Sequence, residues 1–555
     1  MKFLWGKRAF SIILSMLLAF AAVSPAFADV WVNGDGTIPD LGSAYAVGGD
    51  GSVSQVAGAF AVTGSGMLEQ VGSGGGGDPG AGVPAEAPML GTVNVASATI
   101  KVGLRYYYSD ARDSSAAYAP LQNVTGSGYQ LGYYDNNRNF VAVGSTAETA
   151  ITVAKDTNVA LPSGMLGCFH VLLPATYSSF DDANSAASQY PDGFPAYYNG
   201  VYRVLVGTYT SSSDAQAAVS SRGLSGGVDF TASQYCVVVT KTGATKILFE
   251  FDCGNTYTLG VLPISNDGKA VTQFGSTTYY GGFEFWRING QNLTVINVLN
   301  IEDYVMGVIA SEMSYSWPLE ALKAQAVCAR TYAAQMIKNS AYYTIGGYDL
   351  TADTYCQAYS GASRLGDAIV QAVNGTAGVY ATYNGQLIEA LYSSADGGGT
   401  ESNINVNGTD IPYLQGVIDP YEAAVDNINS HSHWSVRYTA SSLGSKLGIS
   451  AVVNIVPTYS PTGNVIQLVV NDNLGRQRTY QKTACRTFLG LDSIHYTVSQ
   501  QSDGSWIFSG GGWGHSVGMS QYGAYAMASV YNFNYKQIIG FYYTGVCLST
   551  GVYAG

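Results

Sequence analysis

From Ala98 onward the chain is written in short runs of β-branched and aromatic residues, beginning with ATIKVGLRYYY and broken by YDNN and GSG turns. Such runs, bounded by such breaks, predict strands. Between residues 166 and 245 the pattern alternates: LGCFHVLLPATY reads as a strand, FDDANSAASQY as a helix, YYNGVYRVLVGTY as a strand, SSDAQAAVSSRGL as a helix and QYCVVVTK as a strand. Further on, the β-branched run from Leu293 passes into a turn, and Trp317-Pro318 then opens a long Ala-rich helix. Proline is tolerated in a first helical turn and Ser316 can cap before it, so the helix is expected from about Pro318 to Lys338. NVIQLVVND (464–472) and SWIFSGGG (505–512) read as strands, and about Ser520 to Phe541 as a terminal helix. The fold class these elements predict is α+β.

A chain of 555 residues divides, at ~100–200 residues per domain, into three or four units. Lys2, Lys7 and Arg8 precede an apolar run from Ala9 to Val23 and the small-x-small triplet Ala26-Phe27-Ala28, the pattern of a cleavable export leader over residues 1–28. Residues 29–90 are Gly-, Ser- and Ala-rich and end in the linker-like VGSGGGGDPGAGVPAEAP, so no regular structure is expected there. The remaining divisions are a small β-rich segment (91–160), the alternating αβ segment (161–245) and a larger α+β domain (246–555).

The formal charge is −13, three units more negative once Lys2, Lys7 and Arg8 are removed, which argues against nucleic acid as a partner. Charged residues make up only 11% of the chain, so its surface must be built from Ser, Thr, Asn, Gly and Tyr. That balance suits an exported protein with no membrane attachment after leader cleavage. The seven cysteines are scattered singly, and although Cys236 and Cys253 are candidates for bridging neighbouring strands, their pairing is not assignable from sequence.

Four blocks carry the chemistry: LTVINVLNIEDYVMGVIASEMSYSWPLEALKAQAVCARTYAAQMIK (293–338), LYSSADGGGTESN (391–403), PYLQGVIDPY (412–421) and GGGWGHSVGMSQYGAYAMA (510–528). In this order they resemble the signature of the stage II sporulation protein D family, over roughly residues 290–550. The sporulation members of that family are lytic transglycosylases, and its relatives include amidase enhancers. The pair FHVLLPATYSSFDDANSAASQY and YRVLVGTYTSSSDAQAAVSSR is similar to the two halves of a sporulation-related repeat domain, which implies a ferredoxin-like αβ fold that binds glycan strands stripped of stem peptides.

The resemblance puts the family's catalytic glutamate on Glu312 and its helix-borne cations on Lys323 and Arg330. Apolar neighbours such as Val308, Ile309, Met313 and Trp317 would raise the pKa of Glu312, as a general acid near neutral pH requires. Lys323 and Arg330 lie seven apart and share a helix face. A cation against Glu312 would lower its pKa, so both are assigned to substrate, where an arginine can hold a lactyl carboxylate in bidentate fashion. Tyr392, Ser393, Tyr421, His515, Ser520 and Gln521 are the remaining candidates for holding glycan, with the glycines of 510–524 letting backbone approach the sugar.

The activity implied is cleavage of the MurNAc-GlcNAc bond by Glu312 alone, acting first as acid and then as base, to leave a 1,6-anhydro end. Hydrolysis would need a second carboxylate, for which Asp303, Glu401 and Asp419 are candidates. A non-catalytic wall-binding enhancer of an amidase is the competing expectation. Peptidoglycan strands are the expected partner in either case, and the cell wall outside the membrane the expected location. The Gly-rich block lacks GxxxxGK[ST] and is not a phosphate loop, and no nucleophile elbow supports a Ser520-His515-Asp419 triad. DLTADTYCQAYSG offers one cysteine and no histidine, and His431-Ser432-His433 sits elsewhere, so no metal or cofactor is expected.

Overall fold

The computed structural model describes residues 82–553, apart from 110–111, 267, 288–289 and 340–341, together with four short strands in the N-terminal 81 residues. Those four form two antiparallel pairs, Ala44–Val47 with Val53–Val56 and Phe60–Val62 with Leu68–Gln70. Each carries the Val, Tyr, Phe or Leu that suits a strand, so a segment expected to lack regular structure contains some. The leader expected over 1–28 lies outside the described residues. Met1–Pro84 and Ala85–Gly555 are separate compact units.

In the larger unit, the alternating segment folds as strand Phe169–Leu172, helix α1 (Phe180–Ala187), strands Gly193–Tyr198 and Val201–Tyr209, helix α2 (Ser212–Ser221) and strand Val228–Phe230. Counting these strands one to four, they lie antiparallel in the order 4-1-3-2, the ferredoxin-like arrangement. Both helices start on serine caps: Ser179 accepts from the Asp182 N–H and Ser211 from the Asp214 N–H. Ile247–Asp252 adds parallel to Gly193–Tyr198, and the sheet continues through Val237–Lys241, Ala150–Lys155, Tyr118–Asn123 and Thr272–Phe274 to Thr277–Tyr279, ten strands in all.

A seven-stranded sheet is built on Leu293–Asn300, which pairs with Thr99–Arg105 on one side and Gly282–Arg287 on the other. A four-stranded sheet joins Val379–Tyr383 to Cys547–Tyr553, and Met89–Val95 pairs parallel with the latter. Strands from each of the expected sequence segments are thus interleaved in common sheets. All seven cysteines are free thiols.

Four helices frame the site: α3 (Ile301–Glu312), α4 (Leu319–Asn339), α5 (Asp367–Asn374) and α6 (Gln521–Ser529), with α7 (Tyr535–Tyr542) following. Helix α4 matches expectation and is buried on most sides, as its Ala-rich composition permits. Helix α3 replaces the expected turn: its nearly continuous apolar residues conceal a helical period, but Asn300 caps it and Glu302 and Asp303 occupy its first turn. The expected single helix over 520–541 is two, separated by residues that include Asn532 at a φ of 56°. Among the described residues, no helix is long and apolar enough to cross a membrane.

Candidate active site

Glu312 is the last residue of α3. Met313 turns extended (φ −133°, ψ 150°), and the chain loops through Tyr315 before α4 begins. The carboxyl is half-buried and held at both oxygens: Oε1 accepts from the Ala358 backbone N–H at 3.2 Å and Oε2 from Gln521 Nε2 at 3.1 Å. Burial pushes its pKa above the ordinary glutamate value, and the two hydrogen bonds pull it partly back without cancelling the shift. No lysine, arginine or histidine among the described residues forms an ion pair with it.

Around this carboxyl, Tyr304 donates to Gln357 Oε1 at 3.0 Å and Gln357 Nε2 donates to the Tyr392 hydroxyl at 3.0 Å. The Tyr392 phenol is held well above its usual range by burial and then by the charge of Glu312, so it stays protonated. Tyr392-Ser393 pairs parallel with Met519-Ser520, which brings the start of α6, and with it Gln521, to Glu312. On the other flank Trp317 meets Tyr522 and Tyr525, each at 5.1 Å between ring centroids. This half-exposed aromatic group, whose members come from the loop before α4 and from α6, offers faces of the kind on which sugars stack.

Of the residues expected at the site, Gln521 touches Glu312 directly, Tyr392 lies close enough to feel its charge, and Ser393, Ser520 and His515 sit one layer behind. Ser520 is fully buried, caps α6 by accepting from the Gly523 N–H, and donates to Glu422. His515 Nδ1 accepts from the Val517 N–H at 3.0 Å. Burial, reinforced by the charge of Arg486, pushes its pKa down to about 4, so it is neutral and is not a charged contact for substrate.

Three assignments are corrected. Arg330 is completely buried and its guanidinium grips Glu302, Nε to Oε1 at 2.9 Å and Nη2 to Oε2 at 2.6 Å, with carbonyls of Val379 and Val373 taking further N–H groups. It clamps α3 to α4 and has no face left for substrate. Lys323 pairs with Glu320 at 2.6 Å, against Gly375 and beside the Tyr535 ring, on the side of α4 that meets α5 and α7. Tyr421 is 2% exposed and packs edge-on against Tyr531, Phe533 and Phe541. A shared helical face or a place in a motif block does not reveal what a side chain packs against.

The glycines of the Gly-rich block serve loop-on-loop packing. A Cβ on Gly518 (φ 75°) would lie 2.0 Å from the Leu391 carbonyl, and one on Gly512 (φ 89°) 2.8 Å from that of Ala395. The cation that sequence reasoning passed over is Arg364, exposed and without an ion pair among the described residues. It lines a cleft of about 450 Å³ with Ala310, Met313, Ser314 and Tyr315, the residues on either side of Glu312 in the chain.

The candidate second carboxylates all lie in other settings. Asp303 is paired with Lys269, and Glu401 accepts from the Ser402 N–H and Asn405 Nδ2. Asp419 is buried against Tyr542 and belongs to a cluster with Asp396 and Glu422 whose ligand atoms lie within 4.8 Å of one another. Burial pushes Asp396 well above the carboxylate range and Glu422 up to about 7. A second grouping, Asp156, His170 and Glu250, lies in the ten-stranded sheet. Burial alone would lower the His170 pKa, but the negative charges of Glu250 and Asp156 outweigh it and raise it to about 9. Protonated, the imidazole serves as counter-ion to the two carboxylates.

The Stage II sporulation protein family model matches residues 289–383, which hold α3, Glu312 and α4. Stage II sporulation protein D of Bacillus subtilis is 33% identical over 271 residues, covering 46% of this chain and 76% of that protein. The chain belongs to the stage II sporulation protein D family. An uncharacterised protein of Brachyspira hyodysenteriae is 36% identical over 301 residues, 52% of this chain and 76% of that one. The amidase enhancer of Bacillus subtilis is 30% identical over 302 residues, 44% of this chain but only 40% of the relative. In this family member, the matched segment is the one in which Asn300 sets the start of α3 and the Arg330–Glu302 clamp fixes its angle to α4, so that Glu312 emerges where α6 begins.

Proposed function

We propose that this protein is a secreted lytic transglycosylase that cuts peptidoglycan glycan strands, with Glu312 as the only acid and base. The observation that carries the reading is the state of that carboxyl: half-buried, pushed toward protonation, held by two neutral donors and without a cationic partner. Such a group can give its proton to the glycosidic oxygen of a MurNAc-GlcNAc bond as that bond breaks. The carboxylate left behind then takes the proton of the muramic C6 hydroxyl while its oxygen attacks C1. The glutamic acid is regenerated and the muramic residue ends as a 1,6-anhydro sugar. A hydrolase would need a second carboxylate at a defined separation across the sugar, and Asp303, Glu401 and Asp419 are engaged elsewhere.

Substrate contact falls to the Trp317, Tyr522 and Tyr525 rings and to the Gln521 side chain. Selection of strands lacking stem peptides, first assigned to Arg330, falls instead to Arg364, whose free guanidinium can pair with an exposed lactyl carboxylate. The ferredoxin-like sheet with α1 and α2 is read as a glycan-binding module on its similarity to sporulation-related repeats.

A second reading is favoured by the amidase-enhancer relative: a wall-binding protein that raises the turnover of an amidase without cutting strands itself. Mass spectrometry of peptide-free and peptide-bearing strands incubated with the protein separates the two. Anhydromuramyl ends appearing with the wild-type protein and absent with Glu312→Gln support the enzyme. Intact strands with both, and faster peptide release when an amidase is added, support the enhancer.

A further inference from the structure

Asp396, Asp419 and Glu422 are brought together behind the start of α6 by two loops, one following the Tyr392-Ser393 strand and one preceding the 3-10 turn Glu422–Val425. They are 0%, 3% and 2% exposed. Most of their oxygens are already aimed by neutral donors. Asp419 Oδ1 accepts from the N–H groups of Tyr421 and Glu422, and its Oδ2 from the Tyr542 hydroxyl. Glu422 Oε1 accepts from the Gly397 N–H, and its Oε2 from the Asp396 N–H and the Ser520 hydroxyl. Asp396 Oδ1 accepts from the Gly398 N–H at 2.8 Å, but its fully buried Oδ2 has no N–H or O–H donor, and the side chain faces the Asp419 carboxyl instead. No lysine, arginine or histidine among the described residues forms an ion pair with any of the three.

Three carboxylates removed from water demand positive charge or protons. The geometry points to a calcium site held by Asp396, Asp419 and Glu422. Each carboxylate oxygen has two lone pairs, so a backbone N–H on one leaves another for an ion. One oxygen from each residue lies within 4.8 Å of the others, close enough for all three to reach one ion. All-oxygen donors exclude the softer metals, and magnesium, with its shorter bonds and reluctantly shed water, suits a buried three-carboxylate cage less well. Glu422, Gly397 and Gly398 also form part of the wall of an open cleft of about 690 Å³, which gives the ion a path from solvent. Through Ser520, the cap of α6, the ion fixes the helix start from which Gln521 reaches Glu312.

The test uses the full-length protein stripped with chelator and then given calcium, magnesium or manganese chloride separately, with metal content by mass spectrometry and thermal unfolding as readouts. The expected result is one calcium retained per chain and a melting temperature that rises with calcium concentration, with a much smaller response to magnesium. Asp396→Asn abolishes both, while its melting temperature matches or exceeds that of the stripped wild type, which shows that it folds. Stripped protein that takes up no calcium and melts unchanged overturns the proposal and leaves a shared proton between Asp396 and Asp419 as the link. Equal responses to calcium and magnesium, or a calcium shift undiminished in Asp396→Asn, overturn it as well.

Discussion

At Glu312 the balance between burial and hydrogen bonding decides the chemistry. Burial favours the neutral acid, while the Ala358 and Gln521 donors favour the carboxylate but bring no full charge. Cleavage that needs this proton should fall as pH rises through a value above the ordinary glutamate pKa, and Glu312→Gln, nearly isosteric, should lower the rate by about 10²–10⁴-fold without changing unfolding in urea. Arg330 makes the opposite prediction. Arg330→Met leaves Glu302, in the first turn of α3, without its partner on α4 and should cost about 3–5 kcal/mol of folding stability, read by urea unfolding, because a buried pair that loses one partner leaves an uncompensated charge. Arg364→Gln should leave stability unchanged and remove the preference for peptide-free strands. Glu312 was singled out through the resemblance of its local motif, and the structure sets its carboxyl between the Ala358 and Gln521 donors. The role of Arg330 was not legible in the sequence, since a seven-residue spacing gives a shared face but does not say that Glu302, twenty-eight residues earlier, closes over it.

At the level of elements, α3 and the loop 358–361 must pack closely against one another for the Ala358 N–H to reach Glu312. Gly307 permits this: a Cβ there would lie 2.5 Å from Tyr359 Cε2 and 2.6 Å from the Gly361 carbonyl. In an unconstrained helix, Gly→Ala would stabilise by up to ~1 kcal/mol, but overpacking of this kind costs about 1–3 kcal/mol, so Gly307→Ala should be net destabilising and should also lower activity. Calorimetry and a strand-cleavage assay on the same preparation check both. The elements most legible in the sequence were those with a clear period or a clear boundary. Helix α4 followed its Pro signal, and both helices of 166–245 followed their patterning, whereas the ferredoxin-like fold was implied by the resemblance and two of its four strands, Gly193–Tyr198 and Val228–Phe230, were not read from the pattern. Helix α3 hid because IEDYVMGVIASE is apolar on nearly every side, although the Asn300 cap and the acidic first turn were there to be read. The split between α6 and α7 was missed although Asn532, at positive φ, and the Asn534–Gln537 capping box that starts α7 were there to be read.

Across the whole molecule, strands distant in sequence share sheets, which is why composition alone marks segment limits that the sheets cross. Met89–Val95 completes the sheet that ends in Cys547–Tyr553, and Ala87, 1% exposed, donates its N–H to the Lys536 carbonyl in α7. A chain beginning at Ala98 should therefore melt several degrees below one beginning at Ala85. The buried His170 ties the ferredoxin-like strands to the rest of the ten-stranded sheet through Asp156 and Glu250. Its pKa, raised from 6.5 to about 9, means that its stabilisation is fully present below about pH 6.5 and is lost as pH rises through about 9. Glu250, pushed up to about 7, adds a loss of the same sign at lower pH. Unfolding free energy should decline over that window in the wild type, and the upper part of the decline should vanish in His170→Asn. All of this scaffolding converges on the proton of one side chain. The most direct measurement is an infrared titration of the carboxyl band present in wild-type protein and missing from Glu312→Gln. The account predicts a protonated carboxyl that ionises above the ordinary glutamate value, in step with the loss of strand cleavage. Ionisation at the ordinary value, with cleavage undiminished above it, would contradict it.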